Sequence, residues 1–331
     1  MIHDWKICET PISFIDFETT GLVKGLDRII EVGIARMEPG KAPKLVLNSL
    51  VNPGRKVKAT EIHGITDDDV AFAPDFREIA GDILQAIAGS VVTSYNVYFD
   101  IPFLEYELSR TGVKVLPPYF CMMYMRPLLK LGTKCRLEVA LKSHGISAEE
   151  RHVAAADVQA TAQLFQAYLE ILREQGIETF GDLKKLKDYK FFESFKNIPI
   201  ESAESVGLMI CNAAVPRADA TTQKEDETGR KMAAYWESLK SVVADLIVTD
   251  EEVIEMEELR DELNLNAEIM KAMHAKVFMG VMAQFIDDDF LDDTEAKKLK
   301  LLWQALHRLG WAPGLVGWTP EQSKAEKNLP Y

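Results

Sequence analysis

Asp16 and Glu18 close a short apolar run, Pro11-Ile12-Ser13-Phe14-Ile15-Asp16-Phe17, that reads as a strand. Strand residues two apart point to the same face, so both carboxylates project together. Carboxylates desolvated side by side repel, and a divalent cation is the usual remedy. Alone the signal is poor, because 52 of the 331 residues are acidic and D-x-E triplets arise by chance. The setting improves it: Thr19-Thr20-Gly21-Leu22 follows, a polar turn whose backbone can approach a ligand closely. Asp100 lies just after a second expected strand and opens a helix; by itself it reads as a helix N-cap. His152 and Asp157 are five apart, about 140° around a helix axis. They converge only if His152 sits in the loop before a helix whose first turns carry Asp157. The intervening Val153-Ala154-Ala155-Ala156 is small enough to pack that helix on a sheet. Taken singly, His152 is more often structural than catalytic.

Positioning these groups requires strands and helices in alternation. Arg28–Met37 and Lys44–Val51 read as strands, with Pro39-Gly40 marking the turn between them. Pro74–Ala88 has helical spacing, with Phe76, Ile79, Ile83 and Ile87 on one face. Val91–Tyr95 is a further strand, Asp100–Arg110 a helix ended by Gly112, and Ala154–Glu174 a long helix with Leu164, Tyr168 and Leu172 in register. Strands interleaved with helices predict an α/β fold with a sheet covered on its faces. Residues 176–211, Lys-rich and aromatic, carry no firm assignment. The polar stretch Pro216–Arg230 reads as a linker, and from about Lys231 onward the pattern is helical. The domains expected are therefore 1–175, a connecting segment and linker over 176–230, and a separate all-α domain over 231–331. The tail after Trp311, with Pro313, Pro320 and Pro330, is expected to be irregular.

Taken together, the acidic positions and His152 resemble the three motifs of the DEDDh, or DnaQ-like, 3′→5′ exonuclease superfamily. The matching segments are Phe14–Leu22, Asn96–Leu104 and His152–Thr161. A fourth, Ile62-His63-Gly64-Ile65-Thr66, is similar to a segment of the branch containing the proofreading epsilon subunit of bacterial replicative polymerase. The resemblance covers about residues 8–175 and implies a ribonuclease H-like fold, a mixed sheet flanked by helices. It implies that Asp16, Glu18 and Asp157 hold one Mg²⁺ or Mn²⁺, that Asp16 and Asp100 serve a second, and that His152 deprotonates the attacking water. It further implies that Thr19, Thr20, Gly21, Leu22, His63, Asn96 and Phe103 contact the terminal nucleotide. Such contacts read backbone and shape rather than sequence. The substrate implied is the 3′ end of nucleic acid, DNA before RNA, with 5′-mononucleotides as product. Val153 and Val158 are bulkier than is usual around the third motif, which bears on fine geometry rather than on roles. Intact acidic positions argue against a purely binding or scaffolding protein.

Composition bounds the remainder. A net charge of −14 excludes a generic basic nucleic-acid coat protein. Residues 1–175 hold 19 basic and 23 acidic side chains, and residues 176–331 hold 19 and 29. Nucleic acid is therefore expected on the first half, where metal ions offset acid. Cys8, Cys121, Cys135 and Cys211 form no CxxC pair, predicting neither disulfides nor zinc and suiting a reducing cytoplasm. The N-terminus carries no signal-peptide pattern, and no run of about 18 apolar residues predicts a membrane span.

The second half contains a weak internal repeat. Asp245, Glu252, Leu259 and Leu263 recur, offset by 43, as Asp288, Glu295, Leu302 and Leu306. Each copy is an acidic turn that starts an amphipathic helix. Asp287-Asp288-Asp289 fails the EF-hand template, since Asp292 stands where Gly is required and Lys298 where Glu is required. These turns resemble TerB-like helical domains; the plainer reading is a helical module that binds a protein partner.

Overall fold

The computed structural model describes residues 1–58, 60–147, 153–217, 227–243, 249–265, 267–285 and 293–312. Contacts divide the chain into two compact units, Met1–Ala244 and Asp245–Tyr331.

In the first unit the described residues form a five-stranded sheet of β1 (Ile12–Thr19), β2 (Ile29–Met37), β3 (Lys44–Leu50), β4 (Val91–Ser94) and β5 (Tyr119–Cys121), in the order β3-β2-β1-β4-β5. β1 pairs antiparallel with β2 and parallel with β4, so the sheet is mixed, as expected, and its central strand ends in the acidic motif. The helices are α1 (Thr60–His63), α2 (Asp67–Val70), α3 (Phe76–Ala86), α4 (Val97–Arg110), α5 (Met122–Leu128), α6 (Leu137–Ser143), α7 (Ala154–Glu174), α8 (Phe180–Leu186) and α9 (Glu227–Val243). Asp75 caps α3 by accepting from the amides of Arg77 and Glu78, while Glu78 reaches back to the Asp75 amide. α4 begins earlier than the sequence pattern suggests. Its N-cap is Asn96, and Asp100 lies inside the helix rather than capping it.

The segment after residue 175, unassigned from the pattern, folds onto the same core. Phe180, Phe191, Phe192 and Phe195 are fully buried there with Phe14, Phe120 and Phe165. Their edge-to-face and tilted contacts, such as Phe180 with Phe120 at 5.7 Å and Phe192 with Phe195 at 5.3 Å, explain an aromatic run with no helical period. Burial of each such ring contributes about 1.5–3 kcal/mol. Further on, Asp82 of α3 accepts three amides, those of Cys211, Asn212 and Ala213, and ties the chain down along α3. Composition places breaks near residues 175 and 230, whereas contacts carry the first unit through α9 to Ala244.

The second unit comprises α10 (Asp250–Leu263), α11 (Ala267–Phe285) and α12 (Asp293–Arg308). Thr249 caps α10 and Glu252 closes the box on the Thr249 amide at 2.9 Å, so the first acidic turn of the repeat is a helix start. Leu259, Leu302 and Leu306 are buried. Asp245, Asp287, Asp288 and Asp289 lie outside the described residues, as does the tail from residue 313. All four cysteines are free. Among the described residues no helix is long and apolar enough to cross a membrane.

Candidate active site

β1 is buried on both faces, yet Asp16 and Glu18 are only half-buried, at the end where its ladder with β2 slips. Asp16 stands opposite Gly33 and Glu18 opposite Glu31. Directly paired residues share a face, so all four point the same way. That face is covered by the N-terminus of α7. A Cβ at Gly33 would lie 2.4 Å from the carbonyl oxygen of Ala154 and 2.8 Å from the amide nitrogen of Ala155. Only glycine lets helix backbone rest on strand backbone there, with buried Ala154 and Ala155 as the contact. The buried carboxylate of Glu31 accepts from the Ala154 amide at 3.4 Å and faces the Arg217 guanidinium at 3.5 Å. Arg217 also donates to the His63 carbonyl at 2.9 Å.

The close approach brings Asp157, in the first turn of α7, to the strand end. One carboxylate oxygen each from Asp16, Glu18 and Asp157 lies within 4.8 Å of the others. Asp100 joins from α4, its Oδ1 accepting from the Phe17 amide at 3.0 Å. Burial, then the charges of Asp100, Asp157 and Glu18, pushes the Asp16 carboxyl well above the usual carboxylate range. Burial does the same for Glu18, against the pull of the Lys240 ammonium. Asp100 is raised to about 7, chiefly by burial, although the nearby Ser94 hydroxyl, the Lys240 charge and the Phe17 amide hold it down. A partly buried, all-oxygen set with excess negative charge fits a hard divalent cation.

The carboxylates line one cavity with Phe17, Tyr95, Asn96, Phe99, Arg136, Leu137, Glu237 and Lys240. The Oδ1 of Asn96 is buried there without a hydrogen-bond partner. Phe103 is not in the lining. It is 1% exposed and packs behind Phe99 at 5.1 Å, so Phe99 is the ring that faces the cavity. His63 is buried, and both of its ring nitrogens meet backbone: Nε2 lies 3.0 Å from the Lys58 carbonyl, and Nδ1 accepts from the Ile65 amide at 3.0 Å. It shapes the Gly64 turn rather than presenting its ring to the cavity. The turn after β1 is built on Asp27, which accepts from the Thr20 hydroxyl at 3.1 Å and the Val23 amide at 3.0 Å. Gly21 lies against that carboxylate, and Thr19 donates to the Gly21 carbonyl at 2.5 Å. Leu22 is half-buried beside them. His152 lies outside the described residues. Arg136, Glu237 and Lys240 carry no motif; they come from α6's N-cap and from α9, and only folding brings them to β1.

Comparison with known proteins agrees with this geometry. Residues 13–165 match the RNase_T family, described as exonuclease. The chain is 25% identical over 320 residues to the DNA polymerase III PolC-type of Thermotoga maritima, over 83% of this chain and 23% of that protein. It is 32% identical over 187 residues to the DNA polymerase III subunit epsilon-like protein of Rhodobacter capsulatus, over 53% of this chain and 27% of that one. The chain thus spans about a quarter of the length of these relatives. Product-bound exonuclease I superimposes at a TM-score of 0.41 with 12% identity, over 90% of this chain and 99% of that one, too distant a likeness to locate anything in the site. Asp16, Glu18, Asp100 and Asp157 are thus gathered at one strand end inside residues 13–165, the segment that is similar to DnaQ-like exonucleases.

Proposed function

We propose that the chain is a 3′→5′ exonuclease that removes 5′-mononucleotides from DNA in the cytoplasm. The observation that carries the reading is the gathering of Asp16, Glu18 and Asp157 oxygens within 4.8 Å, with Asp100 alongside. Asp16, Glu18 and Asp157 would hold one Mg²⁺ or Mn²⁺ and Asp16 with Asp100 a second, a pair that supplies an activated water and charge stabilisation at the leaving oxygen. His152 takes the proton from that water, its ordinary pKa near 6.5 suiting a base at neutral pH. Each cycle adds one water across the terminal phosphodiester: a P–O bond forms, the bond to the 3′-oxygen breaks, and a mononucleotide leaves. Thr19, Thr20, Gly21 and Leu22 position the terminal nucleotide through the turn that Asp27 holds. Asn96 offers its unpartnered Oδ1, and Phe99 a ring face on which a base can stack. DNA is assigned as the polymer because the relatives carry the name DNA polymerase III. The helices beyond residue 244 are assigned to contacts with a protein partner.

The test uses 3′- and 5′-labelled single strands of DNA and RNA in Mn²⁺, with Asp16→Ala as control. Stepwise shortening from the 3′ end that vanishes in the variant is expected, faster on DNA. Tight strand binding without turnover in either metal would sink the enzyme reading, and faster RNA shortening would reassign the substrate.

A further inference from the structure

Helix α9 lies outside the segment that matches the exonuclease family, yet it enters the catalytic cavity. Lys240 places its ammonium 4.3 Å from the centroid of the Phe99 ring and 2.5 Å from Glu237 Oε1. Its side chain is 16% exposed, and its charge acts on Asp16, Glu18 and Asp100. A compact ammonium with three donors on a flexible stem can answer several carboxylates at once. The free cavity left beside it is about 60 Å³. Sites for small ligands run to about 300–1,000 Å³, so a nucleotide does not fit while α9 is seated. The helix also packs on α1, which carries His63.

α9 is held by side-chain contacts and not by the ladder of the sheet. The apolar core that contains β1 takes no described residue of α9, although the helix buries an apolar face of its own in Ala233, Tyr235, Trp236, Leu239 and Val242. The polar stretch before the helix starts from Arg217, anchored at the site rim on Glu31 and the His63 carbonyl.

We propose that α9 is an intramolecular mask of the active site, in which Lys240 holds the place of metal charge and the helix holds the place of the terminal nucleotide. Divalent ions and a 3′ end displace it together, since each ion brings twice the charge of the ammonium to the same oxygens. The mask rests on the exonuclease reading for its purpose, but its energetics can be measured without turnover.

The experiment measures Mn²⁺ affinity of the full chain by titration calorimetry, for the parent, Lys240→Ala, Lys240→Met and Lys240→Arg. Hydrogen exchange of residues 227–243 is followed with and without Mn²⁺ and a single-stranded DNA ended by a 3′ phosphorothioate. If the uncovered state is a minor one, the Ala and Met variants bind Mn²⁺ about tenfold or more tightly than the parent, and Arg restores the parent value. Exchange in α9 rises when ion and strand are both present. Unchanged or weaker Mn²⁺ binding in both variants would overturn the mask. So would stronger protection of α9 with strand bound, which would make Lys240 a substrate contact. Tighter Mn²⁺ binding in a chain that never shortens a strand would keep the mask and count against the exonuclease reading.

Discussion

β1 and α9 bring charged side chains to the same cavity by different means. β1 is paired on both edges, antiparallel to β2 and parallel to β4, and Phe14, Ile15 and Phe17 are buried around its acids. Asp16 and Glu18 cannot leave the site unless the sheet opens. The backbone bonds of α9 are internal to the helix, and it meets the site through Glu237 and Lys240. Such an element leaves without breaking a sheet, at the cost of side-chain contacts that include the burial of Tyr235, Trp236 and Leu239. The contrast separates a part that must hold its geometry through each turnover from a part that can yield to a ligand.

The largest expected effect breaks the fixed part chemically. Asp16→Ala should reduce strand shortening to background and remove Mn²⁺ binding measured calorimetrically. His152→Ala should slow shortening by about 10²–10⁴-fold with metal affinity nearly kept, as for a base that is not a ligand. Equal residual activity and equal metal affinity in the two variants would contradict both roles.

Next in size is a mechanical break of the same part. In Gly33→Ala the new methyl meets the Ala154 carbonyl, which is backbone and cannot swing aside. Overpacking of this kind costs about 1–3 kcal/mol. The melting midpoint should fall by several degrees, and activity at a permissive temperature should fall further, because Asp157 moves with α7. A variant with lowered midpoint and full activity would show that α7's seat on β2 does not set the site.

A third prediction sharpens the comparison through pH. The Asp100 carboxyl titrates near 7 in the folded chain against an ordinary 3.8. A raised carboxylate favours the folded state below the ordinary value, and that advantage is lost as pH rises through about 7. With chelator present, the parent's melting midpoint should therefore drop between about pH 4 and pH 8. Asp100→Asn, which can still accept from the Phe17 amide, should flatten that drop. Mn²⁺ at a hundred times its dissociation constant adds about 2.7 kcal/mol, so the ion should narrow the gap between the two proteins at pH 8. Parallel pH curves in chelator would refute the assignment of this charge burden to Asp100.

The smallest effect belongs to the second unit. Thr249→Ala removes the cap of α10 and should cost about 1 kcal/mol, read as a lower midpoint for helix loss. Mn²⁺ affinity should be unchanged, since Thr249 and the carboxylate cluster belong to different compact units.

Much of the site was legible because its signals are local. Asp16 and Glu18 share a face through strand periodicity, and Ala154–Glu174 reads as a helix and is one. The placement of Asp100 was legible less well: read alone it looks like an N-cap, while the helix starts at Val97 and its carboxylate crosses to the Phe17 amide. Phe103 and Phe99 sit four apart on α4, and the motif resemblance points to Phe103, whereas helix spacing alone prefers neither. Packing decides it, since Phe103 fills the core. The aromatic run after residue 186 has no period because its rings answer to one another and not to a single face.

By itself the sequence determined the alternation of strands and helices, the strand end that carries paired carboxylates, and the small residues that open α7. These follow from periodicity, propensity and steric size, which act between near neighbours. Only the tertiary structure decided that Gly33 seats α7, that Glu31 and Arg217 brace that seat, and that Arg136, Glu237 and Lys240 meet the catalytic carboxylates. Those facts depend on which surfaces come together across scores of residues, and no local pattern records the partner of a side chain so distant along the chain.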